Sequence, residues 1–260
     1  MSGEIDIRGI TKRFAAVDKS GVLTVLDNVS VTIQPGEFVS ILGASGCGKS
    51  TLLRIIAGLE TATEGEALWA GEKISGTSPK RILVFQEHTL LPWLTVRGNI
   101  VFALKGVKQY KEKKHTIPRW LELAGLTEFE NSYPHQLSGG MRQRAALIRA
   151  LAVSPDALLL DEPLGALDNF TRMTLQDELV RLWQENSNTM MMITHDVDEA
   201  IFLSQRVVVM SPRPGRVREI IDVPMSYPRN RAAEEFQELR TRILKHMNYA
   251  HDVVEAEFAI

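Results

Sequence analysis

The sequence predicts an α/β fold, with a mainly parallel sheet that carries helices on both faces. Three observations support this prediction. Strand-like and helix-like segments alternate along most of the 260 residues. Two short runs, at 157–160 and 190–193, are wholly apolar, as is typical of strands buried on both faces of a parallel sheet. A glycine-rich turn at 43–50 joins a third apolar run to a helical pattern.

The periodicity of apolar residues predicts the individual elements. Ile5, Ile7 and Ile10 alternate with polar residues as in a strand, whereas Leu52, Leu53 and Ile56 have helical spacing. In chain order, we expect strands at 4–10, 25–33 and 37–42, a helix ending near Gly58, strands at 67–69 and 82–85, a helix-rich region at 94–130, a helix at 141–151, a strand at 157–160, a helix at 169–183, a strand at 190–193, a helix at 196–203, and strands at 206–210 and 217–223.

The end of the chain differs in composition from the rest. Beyond Pro228 it becomes polar, and residues 231–249 have the pattern of one amphipathic helix with Phe236, Leu239 and Ile243 on its apolar face. We therefore expect a main domain at 1–225 and a C-terminal helical extension at 226–260, with the terminal helix packed on the domain.

Composition excludes several classes of protein. The net charge is −2, which gives no electrostatic reason to expect a nucleic-acid partner. Cys47 is the only cysteine, so an internal disulfide is impossible and a reducing compartment is expected. No signal peptide and no apolar run long enough to cross a bilayer is visible. These observations together predict a cytosolic protein.

The glycine-rich turn has the G-x-x-x-x-G-K-[ST] spacing of a phosphate-binding loop. Glycines allow successive backbone N–H groups to surround a polyphosphate at a helix N-terminus. We expect Lys49 to reach the β- and γ-phosphates, and Ser50 to place its hydroxyl on Mg²⁺. The alternative is a fortuitous glycine turn. The nucleotide-binding candidates are Gly43, Ala44, Ser45, Gly46, Cys47, Gly48, Lys49, Ser50 and Thr51, with the Cys47 thiol interpreted as filling space and not as a redox sensor.

Two carboxylates follow the apolar run at 157–160. Asp161 lies at the carboxyl end of that predicted strand, where a doubly wound sheet presents ligands, and can hold Mg²⁺ opposite Ser50. Glu162 can orient and deprotonate an attacking water. The alternative is a strand that ends in solvated acids.

A second glycine pair opens the helix predicted at 141–151. Ser138 is a candidate N-cap, but Gly139 and Gly140 exceed what a cap requires. Their bare N–H groups at a positive helix end again suit an anionic ligand. The chain therefore carries two segments suited to polyphosphate.

Along the chain, the phosphate-binding loop is followed by the glycine pair after Ser138, the two carboxylates after the run at 157–160, then Ala166-Leu167-Asp168 and His195. With its motifs in this order, the chain resembles the nucleotide-binding subunit of ABC transporters over nearly its whole length. The resemblance implies a P-loop NTPase (RecA-like) core with an antiparallel β subdomain and a helical subdomain inserted at about 88–148. It also implies a head-to-tail dimer with a second copy or a paralogous ATPase. In such a dimer, Ser138, Gly139 and Gly140 of one subunit close over ATP held by the other.

The resemblance assigns further roles by position. Phe14 would stack on adenine, and a core residue at a strand end is the alternative. Gln86 would contact Mg²⁺ or water, and His195 the γ-phosphate, so that the catalytic set is Lys49, Gln86, Glu162 and His195. Asp168 would cross the dimer contact. The chain departs from the family at Met141, where glutamine is usual, and at Phe14, where tyrosine is more common.

The segment at 90–94 is an apolar cluster beside a predicted loop, which suggests a partner surface for transmembrane permease subunits. A local core of the helical subdomain is the alternative. Residues 90–100 and 211–217 resemble importers of nitrate, taurine and alkyl sulfonates, whose solute is read by an extracytoplasmic binding protein and by the membrane subunits. A peripheral position on the cytoplasmic face of the inner membrane follows from that resemblance. The rival classes are an exporter cassette, an ABC-type machine acting on nucleic acid or ribosomes, and a kinase or GTP switch.

Overall fold

The computed structural model describes residues 3–15, 21–86, 89–165 and 167–247. The α/β class is as predicted. The strands are β1 (Ile5–Ala15), β2 (Val22–Ile33), β3 (Phe38–Leu42), β4 (Glu64–Trp69), β5 (Glu72–Lys73), β6 (Arg81–Val84), β7 (Ala157–Asp161), β8 (Thr189–Ile193), β9 (Arg206–Met210) and β10 (Val217–Asp222). The α-helices are α1 (Lys49–Ala57), α2 (Val96–Gly106), α3 (Tyr110–Lys113), α4 (Ile117–Leu123), α5 (Gly139–Ala152), α6 (Asn169–Asn186), α7 (Val197–Leu203) and α8 (Glu234–His246).

The larger sheet has six strands in the order β10-β9-β3-β8-β7-β6, and all its pairs are parallel except β10 with β9. Every residue of β3, β7 and β8 is buried, because both faces of the sheet are covered. Alternate residues of β3 enter different cores: Phe38 belongs to the cluster that contains residues of α2 and α4–α8, whereas Val39 and Ile41 belong to the cluster that contains α1 and the smaller sheet. The parallel strands all deliver their carboxyl ends to one edge, where the site lies.

The smaller sheet is antiparallel in the order β2-β1-β4-β5, which is the antiparallel β subdomain that the family resemblance implied. It packs over α1 and fixes the helix that follows the glycine-rich turn. The two-residue strand β5 was not predicted, since both of its residues are exposed and it has no apolar pattern.

The helix-rich region predicted at 94–130 contains α2, α3 and α4, with one 3₁₀ turn between α3 and α4 and another after α4. Its apolar residues, including Ile100, Leu104 and Leu121, pack against α5 as part of the larger core cluster. The helical segment is therefore continuous with the core through α5, the helix that begins with the second glycine pair.

The terminal helix α8 spans Glu234–His246 and is shorter than the predicted 231–249, of which residues 248 and 249 lie outside the described part of the chain. Phe236, Leu239 and Ile243 are buried and pack toward α7 and β10, as predicted. Arg229, just before this helix, donates hydrogen bonds to the carbonyl oxygens of Ile201 and Ser204 at the end of α7.

Within residues 3–15, 21–86, 89–165 and 167–247, no helix combines the length and the apolar character needed to traverse a bilayer.

Candidate functional site

The glycine-rich turn connects β3 to α1 at the edge where the parallel strands end. Gly46 and Gly48 have φ angles of 76° and 105°, in the left-handed region that favours glycine. A Cβ atom on Gly48 would also lie 2.6 Å from Leu26 Cδ2. Lys49 Nζ donates to the carbonyl oxygens of Gly43 at 2.7 Å and Ala44 at 3.0 Å, which holds the ammonium inside the loop.

The hydroxyl and carboxylate predicted to share a cation lie together. Ser50 Oγ donates to Asp161 Oδ1 at 3.0 Å, although Ser50 lies in α1 after β3 and Asp161 ends β7, two strands that are separated by β8 in the sheet. Burial raises the pKa of Asp161, and the hydrogen bond from Ser50 opposes that effect. A buried carboxylate beside a hydroxyl at the mouth of a phosphate loop is the oxygen donor set that Mg²⁺ prefers.

Glu162 follows β7 and lies between two polar side chains. Gln86 Nε2 is 3.2 Å from Glu162 Oε2, and His195 Nδ1 is 3.4 Å from the same oxygen. The backbone of Glu162 has a φ of 47°, an uncommon angle for a residue with a side chain. Gln143 Nε2 on α5 donates to the carbonyl oxygen of Glu162 at 3.2 Å, and the backbone N–H of Glu162 donates to Ile193 O at 3.0 Å. These bonds hold the carboxylate toward the glycine-rich turn.

One cavity of about 490 Å³ joins these groups. Its lining comprises Val25, Ser45, Gly46, Gly48, Lys49, Ser50, Thr51, Gln86, Glu162, His195 and Arg213. Asp161 lies just below it, while Cys47 is 1% exposed and packs in the core beneath the loop, as a space-filling residue does. The structure therefore gathers the residues predicted for cation, phosphate and water from four separate segments of the chain.

Other predicted site residues lie elsewhere. Phe14 is 38% exposed near the end of β1, with Lys12 Nζ 4.8 Å from its ring centroid, and does not line the cavity. Ser138 is exposed and accepts a hydrogen bond from Met141 N, which makes it the N-cap of α5 as predicted. Gly139 and Gly140 follow it in the first turn of the helix.

Asp168 is also a helix cap. Its side chain accepts from Thr171 N at 3.0 Å, and this bond holds the pKa of the carboxyl below its ordinary value. Ala166 lies outside the described residues. Neither Asp168 nor the Ser138 segment lines the cavity, so the roles predicted for them across a dimer remain predictions.

Sequence reasoning missed two residues of the cavity. Val25 comes from β2, and Arg213 from the turn between β9 and β10. The one signal in the sequence is the segment at 211–217, whose resemblance to a subgroup of importers does not indicate a role at the site.

In the apolar segment at 90–94, some residues are buried as a local core would be, and others are exposed as a partner surface would be. Leu90 is buried in the larger core cluster, whereas Trp93 is 68% exposed. Asn99 on α2 fixes the segment, since its Nδ2 donates to the carbonyl oxygens of Leu91 and Leu94. Phe102, further along α2, is 56% exposed, while Glu87 and His88 lie outside the described residues.

Known proteins are similar to this chain along most of its length. The ABC transporter family model matches residues 26–165. The aliphatic sulfonates import ATP-binding protein SsuB of Bacillus thuringiensis subsp. konkukian is 46% identical over 245 residues, covering 94% of this chain and 96% of that protein. The SsuB protein of Bacillus subtilis is 42% identical over 246 residues, covering 95% and 96%.

Among solved structures, the post-hydrolysis dimer of the ATP-binding cassette MJ0796 bound to ADP and Pi matches with a TM-score of 0.76 and 32% identity. The match covers 85% of this chain and 100% of that one. A second dimeric structure of MJ0796, described as a bacterial ABC transporter cassette, matches with a TM-score of 0.74 and 33% identity.

Proposed function

The chain belongs to the ABC transporter family and has its P-loop NTPase fold, and from that premise we propose how its residues hydrolyse ATP to energise import. It is the ATP-binding, ATP-hydrolysing subunit of an importer. The similarity to import proteins along 94% of the chain favours this activity over an exporter cassette or a machine acting on nucleic acid or ribosomes.

The phosphate loop binds the substrate. Its glycine N–H groups and the N-terminus of α1 present positive charge to the triphosphate of ATP. Lys49 is held inside the loop by its hydrogen bonds to the carbonyl oxygens of Gly43 and Ala44. When the nucleotide enters, Lys49 replaces these bonds with hydrogen bonds to phosphate oxygens. A cation within the loop thus serves as a charge-assisted donor to the transferred phosphoryl group.

Ser50, Asp161 and Gln86 are the residues that would hold Mg²⁺. When bound there, the ion would neutralise charge that develops on the phosphates. The 3.0 Å bond between Ser50 Oγ and Asp161 Oδ1 supports this assignment, because it brings a hydroxyl and a buried carboxylate to the same point.

Glu162 acts as general base. Its carboxylate is held between Gln86 and His195, where it accepts a proton from the water that attacks the γ-phosphorus. The bond from the γ-phosphorus to the β–γ bridging oxygen breaks in the same step, and ADP and phosphate are the products. His195 also donates to the γ-phosphate and so orients it toward that water. The hydrolysis step therefore depends on three side chains that follow three different parallel strands.

A second copy of this chain, or a paralogous ATPase, completes the site. Ser138, Gly139 and Gly140 lie away from the cavity of their own chain, at the exposed N-terminus of α5. Their N–H groups would cap the triphosphate held by the partner subunit, with Asp168 at the same contact. ATP favours the closed pair because these contacts exist only in that state.

Membrane permease subunits receive the resulting motion. Trp93 and Phe102 are exposed apolar side chains in the segment that follows Gln86 in sequence, which supports docking of those subunits there. The solute is a small anion of the sulfonate or taurine type, with nitrate as the alternative, and an extracytoplasmic binding protein delivers it. The chain then lies peripherally on the cytoplasmic face of the membrane.

The proposed function divides the chain into two parts. Residues 1–225 form the ATPase domain, with the helical subdomain at about 88–148 inserted in it. Residues 226–260 form the C-terminal extension, and the packing of α8 on α7 supports a structural role for its described part.

The observation that carries this proposal is the gathering of Lys49, Ser50, Gln86, Glu162 and His195 around one cavity. A strain lacking the protein should grow on sulfate but not on an aliphatic sulfonate as its only sulfur source. Wild-type protein should restore growth and Glu162→Gln should not, although both accumulate equally. Restoration by the glutamine variant would contradict the role of hydrolysis, and growth of the deletion strain on sulfonates would contradict the solute class.

A further inference from the structure

The turn at 211–216, between β9 and β10, lies directly against the phosphate loop. Gly215 N donates to Val25 O at 2.9 Å, and Asp27 N donates to Gly215 O at 3.0 Å, so β2 holds the turn on one side. A Cβ atom on Gly215 would be 2.1 Å from the carbonyl oxygen of Cys47. The backbone of this turn and that of the phosphate loop are therefore in close contact.

Side-chain bonds brace the same turn internally. Ser211 Oγ donates to Pro214 O at 3.0 Å and accepts from Arg216 N at 3.0 Å. Arg216 pairs with Asp27 on β2. The turn is thus a fixed support, and the residue at its tip has a defined position.

Arg213 occupies that tip and reaches over the phosphate loop. Its Nε donates to Gly46 O at 3.0 Å, and its Nη2 lies 3.0 Å from the point where a Cβ on Gly46 would be. It lines the same cavity as Lys49, Glu162 and His195. Within the described ranges it pairs with no carboxylate, in contrast to Arg216 in the same turn.

A guanidinium has five N–H donors, and only one of these is engaged by the loop. The remaining donors belong to an unneutralised cation beside a cavity whose expected ligand is a polyanion. Guanidinium groups bind phosphate oxygens through paired, charge-assisted hydrogen bonds. On the basis of the proposed ATP site, we propose that Arg213 is a second cationic contact to the nucleotide polyphosphate, acting opposite Lys49 across the phosphate loop.

The test measures nucleotide affinity in the full-length protein by fluorescence titration at low temperature, before turnover is appreciable. Arg213→Gln removes the charge but keeps a donor for Gly46 O, and Arg213→Lys keeps the charge without the planar fork. Arg218→Ala is the matched control, because it removes one exposed arginine of β10 that does not line the cavity. Melting temperatures establish that all variants fold.

We expect Arg213→Gln to weaken ATP binding by about tenfold, equivalent to ~1.4 kcal/mol. Arg213→Lys should have an intermediate affinity, and the Arg218→Ala control should match the wild type. Inorganic tripolyphosphate, used as a competitor, should lose affinity for Arg213→Gln by a similar factor. The difference between Arg213→Gln and wild type should shrink as salt is added, since the contact lies at an open site.

Three outcomes would overturn the inference. ATP could bind Arg213→Gln as tightly as it binds wild type, adenosine could lose affinity as much as ATP does, or tripolyphosphate competition could be unchanged. In each case the proposed function would still stand if Lys49→Ala loses ATP. If the wild-type protein itself fails to bind ATP, the proposed function fails instead, and the two results are distinguishable.

Discussion

Residues 43–50 and residues 138–141 are both glycine-bearing segments at the start of a helix, but they have different surroundings. The first lies over the ends of parallel strands, beside Glu162 and His195, and lines a cavity of about 490 Å³. The second is exposed or half-exposed at the start of α5 and does not line that cavity. Among the described residues, the first segment shares a cavity with Glu162 and His195, whereas the second lines no part of that cavity.

The difference follows from what each segment is attached to. The phosphate loop follows β3, so the topology brings it next to the carboxyl ends of β7 and β8. The segment at 138–141 follows a helical insertion and is turned toward solvent. In the proposed dimer, each chain would contribute the phosphate loop to one nucleotide site and the segment at 138–141 to its partner's site.

Replacing Glu162, the proposed general base, should give the largest effect. It also tests whether residues 43–50 and 138–141 act together across a dimer. We expect Glu162→Gln to lower ATP hydrolysis by about 10²–10⁴-fold, because proton transfer from the attacking water is lost. ATP binding should persist, and ATP should hold the variant as a dimer in light-scattering measurements. Near wild-type turnover would exclude Glu162 as the base.

Removing the loop cation tests the first segment alone. Lys49→Ala loses a charge-assisted contact to phosphate, and we expect ATP affinity to fall by roughly a hundredfold or more in equilibrium titration. No ATP-dependent dimer should form. Lys111→Ala, at an exposed position on α3, is the control for loss of charge. An unchanged affinity for Lys49→Ala would remove this loop from the nucleotide site.

Gly140→Asp tests the second segment. A carboxylate at the start of α5 would repel a partner's phosphates, so the variant should bind ATP within about threefold of the wild-type affinity yet neither dimerise nor hydrolyse it. Mixing it with Lys49→Ala should restore hydrolysis, since a mixed dimer has one intact pair of segments. No recovery on mixing would mean that the two segments do not act across subunits.

The smallest effect concerns Glu199, a buried carboxyl outside the cavity. Glu199 on α7 is 5% exposed and accepts a hydrogen bond from Gln176 Nε2, and burial raises its pKa. A raised pKa in the folded state favours the protonated form, so this contribution to stability is present at low pH and is lost as pH rises through the raised value.

Glu199→Gln should therefore melt at a higher temperature than the wild type near neutral pH, and the difference should vanish below about pH 4, where the ordinary glutamic acid pKa lies. Thermal unfolding across this pH range measures the effect. A variant that is less stable than the wild type near neutral pH, with no difference below about pH 4, would instead show that the charged carboxylate is stabilising. Its ATP affinity should remain unchanged, in contrast with Lys49→Ala.

Much of the fold could be predicted because local patterns determine it. The wholly apolar runs became β7 and β8, and the glycine spacing marked the turn before α1. The start of the terminal helix was predicted three residues early, since residues 231–233 have a helical composition but form a turn in which Asn230 Oδ1 accepts from Ala232 N. A single side-chain bond outweighed propensity there.

The site could be predicted in part for the same reason. Lys49, Ser50, Asp161 and Glu162 belong to motifs with fixed spacing, which is a local signal. Arg213 reaches the cavity only because the turn at 211–216 packs on the phosphate loop, and that contact joins segments far apart in the chain. Non-local packing of this kind leaves no periodicity in the sequence.

Gln143 connects the two regions compared above. Its buried side chain extends from α5 to the main-chain oxygen of Glu162, and α5 is the helix whose first turn carries Gly139 and Gly140. A pull on that helix by a neighbour's nucleotide would displace the peptide that orients the general base in the same polypeptide. In the proposed dimer, the Gln143 amide would therefore link the two catalytic centres, and we expect it to contribute to cooperativity between two bound ATP molecules.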